Sequence, residues 1–142
     1  MMNNTVTTTW HHDSLFESDN PTGNTILMDT SVEKGGSGKG VSPKAMMLSS
    51  LAGCSGFDIV GILKKMRIDL DDFKIITTGE LTDEHPKYYH SVLVTYQFYG
   101  KNLPKDKLQK AVDLSVEKYC GVMEMFRRFA KINIKIEYIE HA

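Results

Sequence analysis

The stretch Ser42–Leu63, SPKAMMLSSLAGCSGFDIVGIL, decides the architecture. Ser42 suits a helix N-cap, and Pro43 suits the first helical position because its fixed φ is already helical and its missing N–H has no partner to lose. A helix is expected from there to about Arg67, roughly 25 residues or about 37 Å long. Met46, Met47, Leu48, Leu51, Ala52, Phe57, Ile59, Val60, Ile62, Leu63 and Met66 cover most of its circumference. An all-round apolar surface predicts a central helix surrounded by protein. Gly53, Gly56 and Gly61 each weaken a helix by about 1 kcal/mol against Ala, which predicts close packing at all three. Asp58 interrupts the apolar run and Lys64, Lys65 and Arg67 close it, so a membrane span is not expected. The terminal cations suit the helix dipole.

Working outward toward the N-terminus, Thr5–His12 reads as a first strand, Leu15–Glu17 as its partner and Asn24–Thr30 as a third. Asn20-Pro21-Thr22-Gly23 between them is turn chemistry. Glu33–Gly40, EKGGSGKG, is a Gly-rich connector. Gly35 and Gly40 have the glycine spacing of a phosphate-binding loop, but Val41-Ser42 stands where Lys and Ser or Thr are required. Toward the C-terminus, strands are predicted over about Phe73–Leu81 and Tyr89–Tyr99, the second with Val92, Val94, Tyr96 and Phe98 on one face. Pro104 opens a second helix with Leu108, Ala111, Val112 and Ser115 at inward spacing. It is expected to break near Tyr119-Cys120-Gly121, a third helix following from about Val122 to Ala130. Ile132–Glu140 alternates as a final strand. This order predicts a single α+β domain over 1–142, mostly antiparallel sheets packed around the long central helix.

The 142 residues are 41% hydrophobic and 25% charged, ordinary globular values. Seventeen Lys+Arg against eighteen Asp+Glu leave a formal charge of -1, so no global basic field favours nucleic acid or an anionic membrane. The polar, Thr-rich start lacks the basic and apolar regions of a secretory signal. Two cysteines are too few for a disulfide scaffold, so the expected location is the reducing cytoplasm.

Cys54 lies between Gly53 and Ser55-Gly56, where small neighbours leave its sulfur approachable. Cys120 stands beside Gly121 at the expected helix break. Two readings remain open for each: a small buried core residue, or a redox thiol. Attack on a peroxide needs a thiolate near a cation, and a second thiol can convert the sulfenic acid to a disulfide. A metal site is not expected, because His11, His12, His85, His90 and His141 are scattered and no CxxC pair exists. Gly53-Cys54-Ser55-Gly56 also lacks the G-x-S-x-G elbow of a serine hydrolase.

Pro43-x10-Cys54, the KYCGV segment around Cys120 and the alternating INIKIEYIE strand together resemble the OsmC/Ohr family of osmotically inducible and organic hydroperoxide resistance proteins. The resemblance spans essentially the whole chain and is closest to a less characterised branch. It implies a swapped, intertwined homodimer with each site built from both chains and no cofactor. It also implies a thiol peroxidase in which Cys54 is peroxidatic and Cys120 resolves. The implied pocket is apolar and favours organic hydroperoxides, and a dithiol reductant of lipoyl or thioredoxin type recycles the disulfide. The chain departs from the peroxidase pattern in two places. Lys44 and Ala45 stand where a Glu is expected after the Pro, and no Arg precedes Arg67. Lys34, Lys39 and Lys44 are the candidate activating cations, although Lys lacks the planar fork of Arg. The alternative is a non-catalytic OsmC-like domain that binds a small apolar ligand in the dimer-interface pocket.

Overall fold

The computed structural model describes residues 2–141. The chain divides into two compact units, one running to Met47 and the other starting at Leu48. The long helix α1 (Pro43–Lys65) runs across the division.

In the first unit, β1 (Thr8–His12), β2 (Leu15–Asp19) and β3 (Thr25–Met28) form an antiparallel sheet in sequence order. Thr8 pairs with Ser18 and Phe16 with Met28. Asp13 turns the first hairpin at φ 50°, a left-handed conformation that Asp tolerates better than most residues. After a 3-10 turn at Val32–Lys34 the glycine-rich segment returns to the sheet. There the Val41 N–H donates to the Leu27 carbonyl (2.9 Å) and the Asp29 N–H to the Val41 carbonyl (3.1 Å).

The second unit holds β4 (Asp72–Leu81), β5 (Tyr89–Gly100) and β6 (Lys131–Glu140), in that spatial order. β4 and β5 are antiparallel, while β5 and β6 are parallel with Val92 opposite Ile132. A parallel pair needs a crossover. It is supplied by α2 (Lys105–Leu114), a π-helical turn (Ser115–Tyr119) and α3 (Gly121–Arg127). With β5 in the middle, Val92, Val94, Tyr96 and Phe98 are fully buried, as their alternation predicts. Three pairings are antiparallel and one parallel, so the fold is α+β with mostly antiparallel sheets.

Helix α1 differs from its sequence reading in two respects. It buries a single i, i+4 stripe of Leu51, Ser55, Ile59 and Leu63, while Phe57 is 79% and Val60 51% exposed. This chain therefore encloses one side of the helix and not its whole circumference. Nor do all three glycines serve close packing. A Cβ at Gly56 would stand 3.2 Å from Ile75 Cδ1, whereas Gly53 and Gly61 have nothing within 4 Å. The helix ends where Arg67 turns left-handed (φ 58°) and the Ile68 N–H returns to the Leu63 carbonyl, a common way of satisfying the last carbonyls. By length and mean hydropathy alone α1 would suffice to cross a bilayer. Its buried stripe instead belongs to the core with Tyr96, Phe98 and Met123.

Candidate functional site

Cys54 sits half-buried on α1 and packs against the core. The crossover brings Cys120 within electrostatic reach of it: Cys54 is one of the side chains that act on the Cys120 thiol, and both thiols are free. The π turn sets where Cys120 lies. The Cys120 N–H reaches back to the Ser115 carbonyl (2.9 Å), closing the wide turn, and the backbone then leaves the helix at φ −80°, ψ 102°. The Cys120 sulfur in turn accepts from the Met123 N–H at 3.3 Å, at the start of α3. Single π turns inside helices often mark functional positions.

Beneath the sulfurs lies a buried polar chain. The Tyr96 hydroxyl meets Ser55 Oγ at 2.7 Å, and Ser55 Oγ meets Ser115 Oγ at 2.8 Å. Ser115 Oγ stands 3.0 Å from Asp58 Oδ2 and 3.3 Å from the Ser55 carbonyl. A carboxylate only accepts, so one consistent ordering runs from Tyr96 to Ser55, to Ser115, to Asp58. Each hydroxyl then donates once, which satisfies groups whose burial would otherwise be costly.

The electrostatics favour neutral partners around Cys120. Burial, together with the hydrogen bond and charge of Cys54 and the charge of Asp58, pushes its thiol up to about 11 against the opposing pull of the Met123 N–H. Burial also pushes Tyr96 up to about 12. At neutral pH Cys120 is therefore a thiol, which suits a second-step sulfur better than a first attacker. Asp58 and Tyr119 line a cleft of about 510 Å³. Its apolar walls are Phe57, Ile62, Met66 and Leu114, and Lys65 and Lys110 also line it.

Lys34, Lys39 and Lys44 all belong to the first unit and are exposed. Lys34 closes the 3-10 turn and borders a cavity of about 550 Å³ whose polar wall is Asp29. The charged or ionisable side chains found to act on Cys120 are Cys54 and Asp58, neither of them a cation. Asp29 itself is 5% exposed. It accepts from the Ser14 hydroxyl, from the Thr30 N–H at 2.7 Å, and from the Ser37 N–H and hydroxyl at 2.8 and 2.5 Å. These donors hold its carboxyl well below the usual carboxylate range. The glycine-rich connector is therefore a fastened loop, and the amide that an anion would need at Ser37 is already taken by Asp29. Among the described residues no group of three His, Cys, Asp or Glu is placed to hold a metal.

No spacing rule marks Ser55, Asp58, Tyr96 and Ser115 as site residues. A signal was present, since Asp58 breaks an apolar run and Ser115 occupies an inward helix position. The pattern shows a polar residue facing inward but not which other polar residue it faces.

Two small sheets, a long helix and a helical crossover define an α+β class that proteins of known structure share. A family model described as OsmC-like protein matches residues 36–135, and the chain belongs to that family. It is 34% identical to Protein YhfA of Escherichia coli (strain K12) over 131 residues, spanning 92% of this chain and 94% of the relative. A crystal structure of a hypothetical protein from Aquifex aeolicus VF5 superposes with a TM-score of 0.85 at 30% identity, covering both chains fully. The organic hydroperoxide resistance protein OhrB of Bacillus subtilis has the same fold, with a TM-score of 0.65 at 16% identity over 96% of this chain and 98% of its own.

Proposed function

We propose that the protein is a thiol-dependent peroxidase that reduces organic hydroperoxides through Cys54 and Cys120. What supports this reading is a pair of free thiols from distant parts of the chain, one half-buried and one buried, with Cys54 acting electrostatically on Cys120. The Cys54 thiolate attacks the distal peroxide oxygen and the O–O bond breaks, leaving Cys54 as the sulfenic acid. The alkoxide leaves and takes up the proton that Cys54 gave to solvent, so that alcohol is released. The Cys120 sulfur then attacks the Cys54 sulfur, an S–S bond replaces the S–O bond, and the thiol proton leaves with the hydroxyl as water. Two thiols and one hydroperoxide thus become a disulfide, an alcohol and water. An external dithiol of lipoyl or thioredoxin type returns the two electrons in a reducing compartment such as the cytoplasm.

Lys34, Lys39 and Lys44 are the candidate sources of positive charge for the Cys54 thiolate. The function is assigned to a homodimer, a reading supported by the apolar surface that Phe57 and Val60 leave uncovered on α1. The second reading, a non-catalytic domain binding a small apolar ligand, is favoured by one observation: the charged group acting on Cys120 beside its partner thiol is acidic.

Mild treatment with cumene hydroperoxide, read by intact-mass spectrometry, separates the two. The native chain should lose the mass of two hydrogens, and Cys54→Ser should not. Cys120→Ser should instead gain one oxygen that a sulfenate-trapping dione captures. Unmodified thiols with no hydroperoxide consumed would leave the binding reading standing.

A further inference from the structure

We propose that Asp58 is the positioning residue of the resolving half-site: through Ser115 its carboxylate anchors the π-helical turn that delivers Cys120 to Cys54. This rests on the two-thiol reading above. Asp58 lies one helical turn beyond Cys54, so the residue that carries the first sulfur is fixed relative to the anchor of the second. Ser115 is the first residue of the π turn and supplies the carbonyl that closes it onto the Cys120 N–H. Its hydroxyl is bound by Asp58 at 3.0 Å and by Ser55 at 2.8 Å, and the opposite end of that chain is pinned by Tyr96 on the central strand. The turn carrying Cys120 is thereby tied to both α1 and β5 through fully buried hydroxyls of Ser55 and Ser115.

The same carboxylate adds negative charge beside Cys120. The titratable groups that face this sulfur are Cys54 and Asp58 from α1 and Tyr96 from β5. Burial keeps Tyr96 neutral through the working range, and Asp58 is the acidic side chain that acts on the sulfur. One residue therefore has two separable effects, an anchoring hydrogen bond and a charge that adds to the burial holding Cys120 protonated.

The test uses diamide, which accepts two electrons and two protons from paired thiols and so joins Cys54 to Cys120 without any hydroperoxide. Asp58→Ala and Ser115→Ala should close the disulfide roughly tenfold more slowly than the native chain, since small misplacements of reacting atoms are costly in rate. Asp58→Asn keeps an oxygen for the Ser115 hydroxyl and should restore the rate. Without the charge, Cys120 in Cys54→Ser/Asp58→Asn should titrate about half a pH unit below its value in Cys54→Ser, read by thiolate ultraviolet absorbance. Native closure rates in both alanine variants overturn the anchoring role. An unmoved Cys120 midpoint overturns the role of the charge, whether or not Asp58→Asn has lost stability. Because diamide bypasses peroxide chemistry, a native chain inert to cumene hydroperoxide that still shows this pattern removes the peroxidase reading and leaves the assignment of Asp58 intact.

Discussion

Asp29 in the first unit and Cys120 in the second are both buried, ionisable groups in contact with serines, yet their environments push them in opposite directions. Asp29 is ringed by donors from Ser14, Thr30 and Ser37, which stabilise its charged form despite burial. Cys120 receives one donor, the Met123 N–H, and its other named neighbours are Cys54 and Asp58. Hydrogen-bond donors decide the first case, while desolvation decides the second. The glycines follow the same division. A Cβ at Gly40 would lie 2.6 Å from the Asp29 nitrogen, and one at Gly36 would run into the Thr30 carbonyl. Gly53, next to Cys54, and Gly61, further along α1, have nothing of this chain within 4 Å. The carboxylate loop is built closed, whereas the thiol helix has room along one side.

The largest effect should come from crowding the closed loop. Gly36→Ala or Gly40→Ala forces backbone against backbone and should cost about 3 kcal/mol or more, measured by urea denaturation. Removing the charge at its centre is gentler. Asp29→Asn should speed amide exchange at Thr30 and Ser37, and the native protein should show the same loosening only in acid. The lowered carboxyl contributes stability above its ordinary value of 3.8, and that stability is lost as pH falls through the lower folded value. Acid-insensitive exchange at both amides would break the contrast with Cys120.

Cys120 should show the opposite sign in base. Its thiol is raised from 9.0 to about 11, so it stabilises the fold below pH 9 and the contribution is lost as pH rises toward 11. Over that interval the native chain should lose about 1–3 kcal/mol relative to Cys120→Ser, measured as the pH dependence of urea unfolding under reducing conditions. The smallest effect belongs to the open side of α1. With nothing of its own chain within 4 Å of a Cβ there, Gly61→Ala should raise the stability of a single copy by up to about 1 kcal/mol through helix propensity. A loss in the native assembly is the result expected where the partner copy covers the Phe57 side of the helix.

What the sequence discloses follows from which interactions are local. The start of α1 at Pro43 and the buried face Val92, Val94, Tyr96, Phe98 rest on capping and alternation, and both are readable residue by residue. The helix break before Cys120 is equally local, because Gly121 follows it. The parallel pairing of β5 with β6 is not, since alternation is the same in either direction. The enclosure of α1 is not readable in the same way, because periodicity reports how much of a helix is apolar and not which molecule covers it. In the candidate site, the two cysteines stand out in the sequence through their small neighbours and the family resemblance, and their roles remain a proposal. The chain Tyr96–Ser55–Ser115–Asp58 spans three elements, and no spacing rule joins residues that meet only after the crossover has folded back.

The π turn makes the placement of the second sulfur a matter of counting. An ordinary helix advances each residue by about 100°, so deleting one residue between Ser115 and Tyr119 would restore regular winding and swing everything downstream by more than a quarter circle. Substitution can tune such a device gradually, but a one-codon deletion would switch it off in a single step.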